Sequence, residues 1–291
     1  MSLDRMQTQR FEMKYVVNEA TAQDIRCFVD HYLDLDEFGI GRPYDAYPVN
    51  SLYLDSGELE TFQQWVRADR NRFKLRLRFY DEDPDTPVFL EIKRRVLECI
   101  LKQRCSLKKP ALDYVMAGQV PPPDLVFSRD PKAQRALHDF IQAVLRLQAR
   151  PVLLVTYLRE AYLDLRNNAV RVTLDRCVRM SPRARLDFSL RMDEFVQPFG
   201  DRVIVEIKFT NRFPGWAGQM VQTLGLRREG AAKYCEGVAN LWRTDHAHWH
   251  YGHLGPHRYE EGVCGKESLL AAAARPVTGL RAGDKAVSPA N

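Results

Sequence analysis

Arg72, Lys74, Arg76 and Arg78 alternate with Phe73, Leu75, Leu77 and Phe79, so one extended segment carries four cations on a single face. The same two-residue period recurs four times. It sets Glu91 beside Lys93 in Phe89–Lys93, Arg171 beside Thr173 and Asp175 in Val170–Asp175, and Glu206 beside Lys208 in Val203–Phe209. Near the start it groups Arg10, Glu12 and Lys14. Guanidinium forks match phosphate oxygens, and ammonium groups supply mobile point charge. Carboxylates interleaved with them would repel a phosphate directly, so their useful role is to hold a divalent cation that bridges to it. These residue types in this pattern point to a phosphate-chain ligand.

The elements that must position these groups are strands with one charged and one apolar face. Beyond the segments above, Val49–Asp55 and Val152–Leu165 are predicted strands. A flat solvated sheet face mixes Thr, Ser, Lys and Glu, whereas these faces are dense in Arg and Lys. Closing the sheet would bring Lys14, Arg76, Arg78, Lys93, Arg171 and Lys208 onto one inner wall, with Glu12, Glu91 and Glu206 among them. Two like charges ~4 Å apart repel by about 4 kcal/mol at an effective dielectric of about 20. Such an interior therefore needs acids, water or a bound polyanion to offset it. The apolar faces need covering helices. The sequence predicts them from Asn18 to about Leu33, over Gly57–Ala68, from the Asp130-Pro131 start signal to about Gln148, and over Trp216–Leu224 and Glu229–Trp242.

Composition narrows the classes. The chain has 291 residues, 45% hydrophobic and 28% charged, which is a globular balance. Its 43 Lys+Arg against 38 Asp+Glu give a net charge of +5, too mild to call for nucleic acid. The cations also alternate with hydrophobes instead of aromatic stacking platforms, which argues against a nucleic-acid partner. No stretch approaches the ~20 apolar residues of a membrane span, and the polar N-terminus predicts no secretory signal. Six scattered cysteines predict reduced thiols and a cytoplasmic setting. No Gly-rich phosphate loop, Ser/His/Asp order or zinc-finger spacing occurs. Residues 1–243 are expected to form one domain, and 244–291, which hold His246, His248 and His250, a weakly ordered tail.

Several motifs, in order, resemble the VTC domain, the polyphosphate-polymerase branch of the triphosphate tunnel (CYTH-like) superfamily. They are Arg10-x-Glu12-x-Lys14-Tyr15, Ser51-Leu52-Tyr53-Leu54-Asp55, Lys74-Leu75-Arg76-Leu77-Arg78 and Glu91-Ile92-Lys93. Lys102-Gln103-Arg104, Arg150-Pro151-Val152 and Tyr157-Leu158-Arg159-Glu160-Ala161-Tyr162 follow. Arg171-Val172-Thr173-Leu174-Asp175, Glu206-Ile207-Lys208-Phe209 and Lys233-Tyr234 complete the set, which spans about residues 10–240.

The resemblance implies an α+β fold: an antiparallel β-barrel, or tunnel, of about eight strands with helices packed outside, binding ATP or polyphosphate. It implies that Lys14, Arg76, Arg78, Lys93, Lys102, Arg159, Arg171 and Lys233 contact phosphates, with Arg104 and Lys208 as further substrate-binding cations. Within that set, Arg76, Arg78 and Lys93 are expected to clamp the β and γ phosphates, and Arg159 and Arg171 to stabilise the oxygens in transfer. Lys102 and Lys233 are expected to guide the acceptor. Glu206 is the implied ligand of Mn2+ or Mg2+, with Glu12 as a second ligand or an ion-pair partner, and Glu91 as an ion-pair partner. The implied reaction transfers the γ-phosphoryl group of ATP to polyphosphate. Related triphosphatases carry Glu-x-Glu-x-Lys on the first strand; Arg10 replaces the first acid here and favours the polymerase. The alternatives are a triphosphatase using the same tunnel and a non-catalytic polyanion binder.

Overall fold

Every alternating segment becomes a strand. The computed structural model describes residues 10–242 apart from 98, 129, 167 and 168. In chain order the strands are β1 (Arg10–Val17), β2 (Asp34–Leu35), β3 (Ala46–Asp55), β4 (Asn71–Phe79), β5 (Pro87–Val96), β6 (Cys99–Lys108), β7 (Arg150–Leu163), β8 (Val170–Pro182) and β9 (Val203–Thr210). The helices are α1 (Glu19–Val29), α2 (Glu60–Val66), α3 (Leu112–Met116), α4 (Pro131–Leu147), α5 (Gly215–Thr223) and α6 (Lys233–Trp242). The expected tail and its histidines lie outside the described residues.

All pairings are antiparallel, in the order β1-β9-β8-β7-β3-β4-β5-β6, with β2 attached to β7. The expectation of a closed barrel is corrected: among the described residues β1 and β6, the two ends of this order, are not hydrogen-bonded to each other. The outer edge of β1 is instead taken by the segment before α6, where Tyr15 bridges to Arg228 and the Glu229 amide donates to the Lys14 carbonyl at 3.0 Å. The sheet curves enough for a side chain to cross the seam, Lys93 Nζ donating to Glu12 Oε2 at 3.1 Å.

The period-two pattern explains the layers. Outward apolar residues of β3–β6 (Leu52, Leu75, Leu77, Leu90, Ile92) pack on α4 through Leu137, Phe140, Ile141 and Val144. Outward residues of β1, β8 and β9 (Tyr15, Val172, Leu174, Val205, Ile207) pack on α1 and α5. The expected capping residues work as such: Asn18 Oδ1 accepts from the Thr21 amide at 2.8 Å, and Asp130 Oδ1 from the Lys132 amide at 2.7 Å. A third apolar cluster lies on the charged-face side, where Tyr234, Cys235 and Val238 of α6 meet Tyr53, Leu153 and Met180. Helices therefore cover the outside and one also occupies the inside.

A bulge makes room for α6. β8 is out of register with β7 between Thr156 and Leu158, and Cys177 takes a left-handed φ of 50°. Arg171, Thr173 and Asp175 share the inner face before the bulge, and Val178 and Met180 share it after, so a charged lining gives way to an apolar one. Cys177 is disulfide-bonded, against the expectation of reduced thiols, while Cys27, Cys99, Cys105 and Cys235 are free. No helix among the described residues is long and apolar enough to cross a membrane.

Candidate functional site: a cationic cavity inside the curved sheet

The curved sheet and the N-terminal end of α6 enclose a cavity of about 680 Å³. Of the residues expected at the site, Glu12, Lys14, Arg76, Arg78, Lys93, Lys102, Arg159, Arg171, Glu206, Lys208 and Lys233 line it together. Arg104 does not. It stands on the inner face of β6 two residues from Lys102 but beside the lining, 3.5 Å from Glu91 and with its guanidinium 3.7 Å from the centre of the Phe89 ring. Fourteen lysines and arginines line the cavity against three carboxylates, Glu12, Glu206 and Glu229. The lining is thus strongly positive, as an anion receptor requires.

Cross-strand register fixes the inner charges. Glu12 faces Lys208 and Lys14 faces Glu206 across β1 and β9, while Arg76 faces Glu91 across β4 and β5. Among the described residues Glu206 is the acid with the most cations around it, with Lys208 at 2.9 Å, Lys14 at 3.0 Å, Lys233 at 3.4 Å and Arg159 at 3.8 Å. Burial pushes its carboxyl up, but the charges of Lys14, Lys208, Lys233 and Arg159 override that and hold it well below the usual range. Glu91 is likewise buried, 2.6 Å from Arg76 and 2.8 Å from Lys102, and these cations hold it ionised against its burial. That is the ion-pair role expected of it.

The cations do not share one environment. Burial pulls Lys208 down to about 8, with Glu206 and Glu12 opposing. Burial also carries Lys102 well below its ordinary value; Glu91 opposes this, and Arg78 and Arg76 add to it. A bound phosphate would oppose both shifts. Arg159 is locked to Asp175 by hydrogen bonds of 2.7 and 2.8 Å, and Lys233 lies 2.6 Å from the same carboxylate. Arg171 donates through Nη2 to Asp36 at 2.6 Å and to the Tyr47 hydroxyl at 3.2 Å, and its Nη1 is buried without a partner among the described residues. Arg78 is buried, and its Nε also has no hydrogen-bond partner among the described residues. Buried donors without acceptors are costly, and both arginines line the cavity.

A divalent cation fits part of this lining. Glu12 Oε1 and Glu206 Oε1 both lie 3.0 Å from Lys14 Nζ, so the two carboxylates already converge on one positive charge. Among the described residues no three His, Cys, Asp or Glu side chains gather into a metal-binding group. Two carboxylates, with water and phosphate oxygens completing the shell, match the donor set Mg2+ or Mn2+ takes at phosphate sites.

Residues absent from the expected site are also in place. Arg72 and Lys74 line the cavity, and they stand in phase with Arg76 and Arg78, a signal visible in the sequence. Arg95 lines it in phase with Glu91 and Lys93. Tyr53 also lines the cavity, with its hydroxyl 3.4 Å from Arg76 Nη1. Asp55 is structural, accepting from Thr61 and from the Tyr234 hydroxyl at 2.6 Å. Asp36, which anchors Arg171, lies in a loop with no periodicity to reveal it.

A family model described as the VTC domain matches residues 9–242. No curated protein matches the chain. Solved structures similar to it include a Bacillus halodurans protein provisionally assigned as an adenylate cyclase, at 14% identity and a TM-score of 0.44, covering 77% of this chain and 94% of that one. Another is a protein from Pyrococcus horikoshii, at 14% identity and a TM-score of 0.41, covering 80% of this chain and 99% of that one.

Proposed function

The chain belongs to the VTC-domain family, and from that premise we propose that it is a metal-dependent polyphosphate polymerase, transferring the γ-phosphoryl group of ATP to a growing polyphosphate chain. The observation that carries this reading is the cavity lining: fourteen cations against three carboxylates, with Arg78 Nε and Arg171 Nη1 buried and unpartnered. A chain of phosphates supplies both the negative charge and the acceptors that this lining lacks.

Phosphoryl transfer demands positioning and charge stabilisation more than covalent chemistry from the protein. Arg76, fixed by Glu91 from behind, and Arg78 and Lys93 beside it bind the β and γ phosphates. Arg159 and Arg171 hold the non-bridging oxygens of the group in flight; their backing acids Asp175 and Asp36 keep each guanidinium in place before the substrate arrives. Lys102 and Lys233 orient the incoming chain. Glu206 and Glu12 would hold Mg2+ or Mn2+, which when bound supplies charge neutralisation at the phosphate oxygens.

Incubating the purified protein with ATP and Mn2+ and resolving the products on a gel tests the proposal. A polyphosphate ladder with ADP, lost in Arg76→Ala, supports it. Free phosphate without a ladder identifies a triphosphatase. Neither product, together with a rise in melting temperature on adding polyphosphate, identifies a binder.

A further inference from the structure

Lys14 Nζ has three oxygens around it: Glu12 Oε1 at 3.0 Å, Glu206 Oε1 at 3.0 Å and the Ala231 carbonyl at 3.2 Å. These come from β1, β9 and the segment that leads into α6, so three separate parts of the chain converge on one ammonium. An ammonium has three donors to give, and here each one has its own oxygen.

Other lysines touch these acids, but each touches one of them. Lys93 reaches Glu12, whereas Lys208 and Lys233 reach Glu206. Among the described residues Lys14 alone is held between the two. A divalent cation bound by both carboxylates would have to sit where this ammonium sits. Hard divalent cations favour an all-oxygen set of carboxylates and carbonyls, which is what surrounds Lys14.

We propose that Lys14 is a built-in occupant of the metal position: its ammonium holds a three-oxygen half-site of Glu12, Glu206 and the Ala231 carbonyl, and the metal enters as Lys14 leaves. The inference rests on the reading of Glu206 and Glu12 as metal ligands and adds two things to it, a third oxygen ligand and an order of events. Lys14 also lines the phosphate cavity. An arriving phosphate chain offers the ammonium other oxygens, draws it off the carboxylates and opens the half-site. Ligand-free protein therefore binds metal weakly, and anion and metal reinforce each other's binding as linked ligands. Tying metal entry to the presence of phosphate would keep the carboxylates neutralised while the cavity is empty.

The test is a titration of the full chain with Mn2+ alone, without nucleotide or phosphate, following the loss of the free Mn2+ signal by electron paramagnetic resonance. Lys14→Gln removes the charge and keeps a side-chain donor for the Ala231 carbonyl. It is expected to bind Mn2+ at least about tenfold more tightly than the unaltered protein, because the positive charge that competes for the same oxygens is gone. Lys14→Arg, which keeps the charge, is expected to stay as weak as the unaltered protein. Adding Glu206→Gln to Lys14→Gln is expected to abolish the gain.

The Mn2+-induced rise in melting temperature gives a second readout, and it reports on each variant's folding in the same experiment. It should be larger for Lys14→Gln than for the unaltered chain. Equal Mn2+ affinity in the unaltered protein and Lys14→Gln, with that affinity still dependent on Glu206, would overturn the occupant role and leave the metal site standing. Binding independent of Glu206 in every variant would overturn both.

Discussion

Asp175 grips Arg159 through two parallel hydrogen bonds of 2.7 and 2.8 Å, and both side chains are buried. Burial pushes the Asp175 carboxyl up; Arg159 and Lys233 override that and hold it below the ordinary carboxylate range. Removing one partner of a buried pair leaves an uncompensated charge. Asp175→Asn should therefore lose about 3 kcal/mol of stability in a denaturant melt. In the folded fraction turnover should also fall at least about tenfold, because Arg159 is no longer pre-placed.

Arg78 behaves oppositely. With its Nε buried and unpartnered among the described residues, its guanidinium contributes to binding more than to folding. Arg78→Ala should leave the melting temperature of the ligand-free protein unchanged or raised. It should weaken tripolyphosphate by roughly ten- to a hundredfold, the worth of one charged hydrogen-bonding group. Thermal melts with and without tripolyphosphate read both effects.

On the outer face, Glu160 is fully buried between Arg26 at 2.7 Å and Arg176 at 2.6 Å, and it accepts from the Tyr162 hydroxyl at 2.6 Å. Burial raises its pKa, but the hydrogen bonds from Arg26 and Tyr162 and the Arg176 charge bring it below 4.5. A carboxyl lowered on folding adds stability that is complete above pH about 4.5 and is lost as the pH falls through the folded value. Glu160→Gln should lower stability at pH 7 and flatten the acid side of the stability curve. Melts in a pH series from neutral to strongly acid would show this.

Gly237 lets α6 approach the sheet. A Cβ there would lie 2.5 Å from Met180 Sδ and 2.6 Å from Leu153 Cδ2. Gly237→Ala should destabilise by about 1–3 kcal/mol through overpacking. Because Lys233 is on the same helix, tripolyphosphate affinity should fall in parallel. Unchanged affinity measured by calorimetry would show that Lys233 keeps its place when the helix shifts.

Much of this was legible in the sequence because strand parity carries both the core and the site. Leu75 and Leu77 predict the outward face, and by the same count Arg76 and Arg78 predict the inward one. The failures have equally physical causes. Alternation does not mark β6 as clearly, because its outward face, Leu101, Gln103, Cys105 and Leu107, is interrupted by a polar residue that pairs with Asp139 of α4. The alternation of β8 is lost at Cys177, where the bulge swaps faces, so the apolar berth of α6 was not visible. Asp36 reaches Arg171 from a loop, at a separation of 135 residues that no local pattern reports. The closed barrel failed for a related reason, since the edge of β1 pairs with residues near 228 that carry no strand signal.

The central claim is that the cavity moves the γ-phosphoryl group onto a phosphate chain and not onto water. Parallel reactions with ATP labelled at the α or the γ position, in the presence of Mn2+, test it most directly. The account predicts that γ label enters a lengthening polyphosphate ladder while α label remains in ADP, with one ADP formed for each phosphoryl group incorporated. Release of the γ label as free orthophosphate, with no labelled chain, would contradict it.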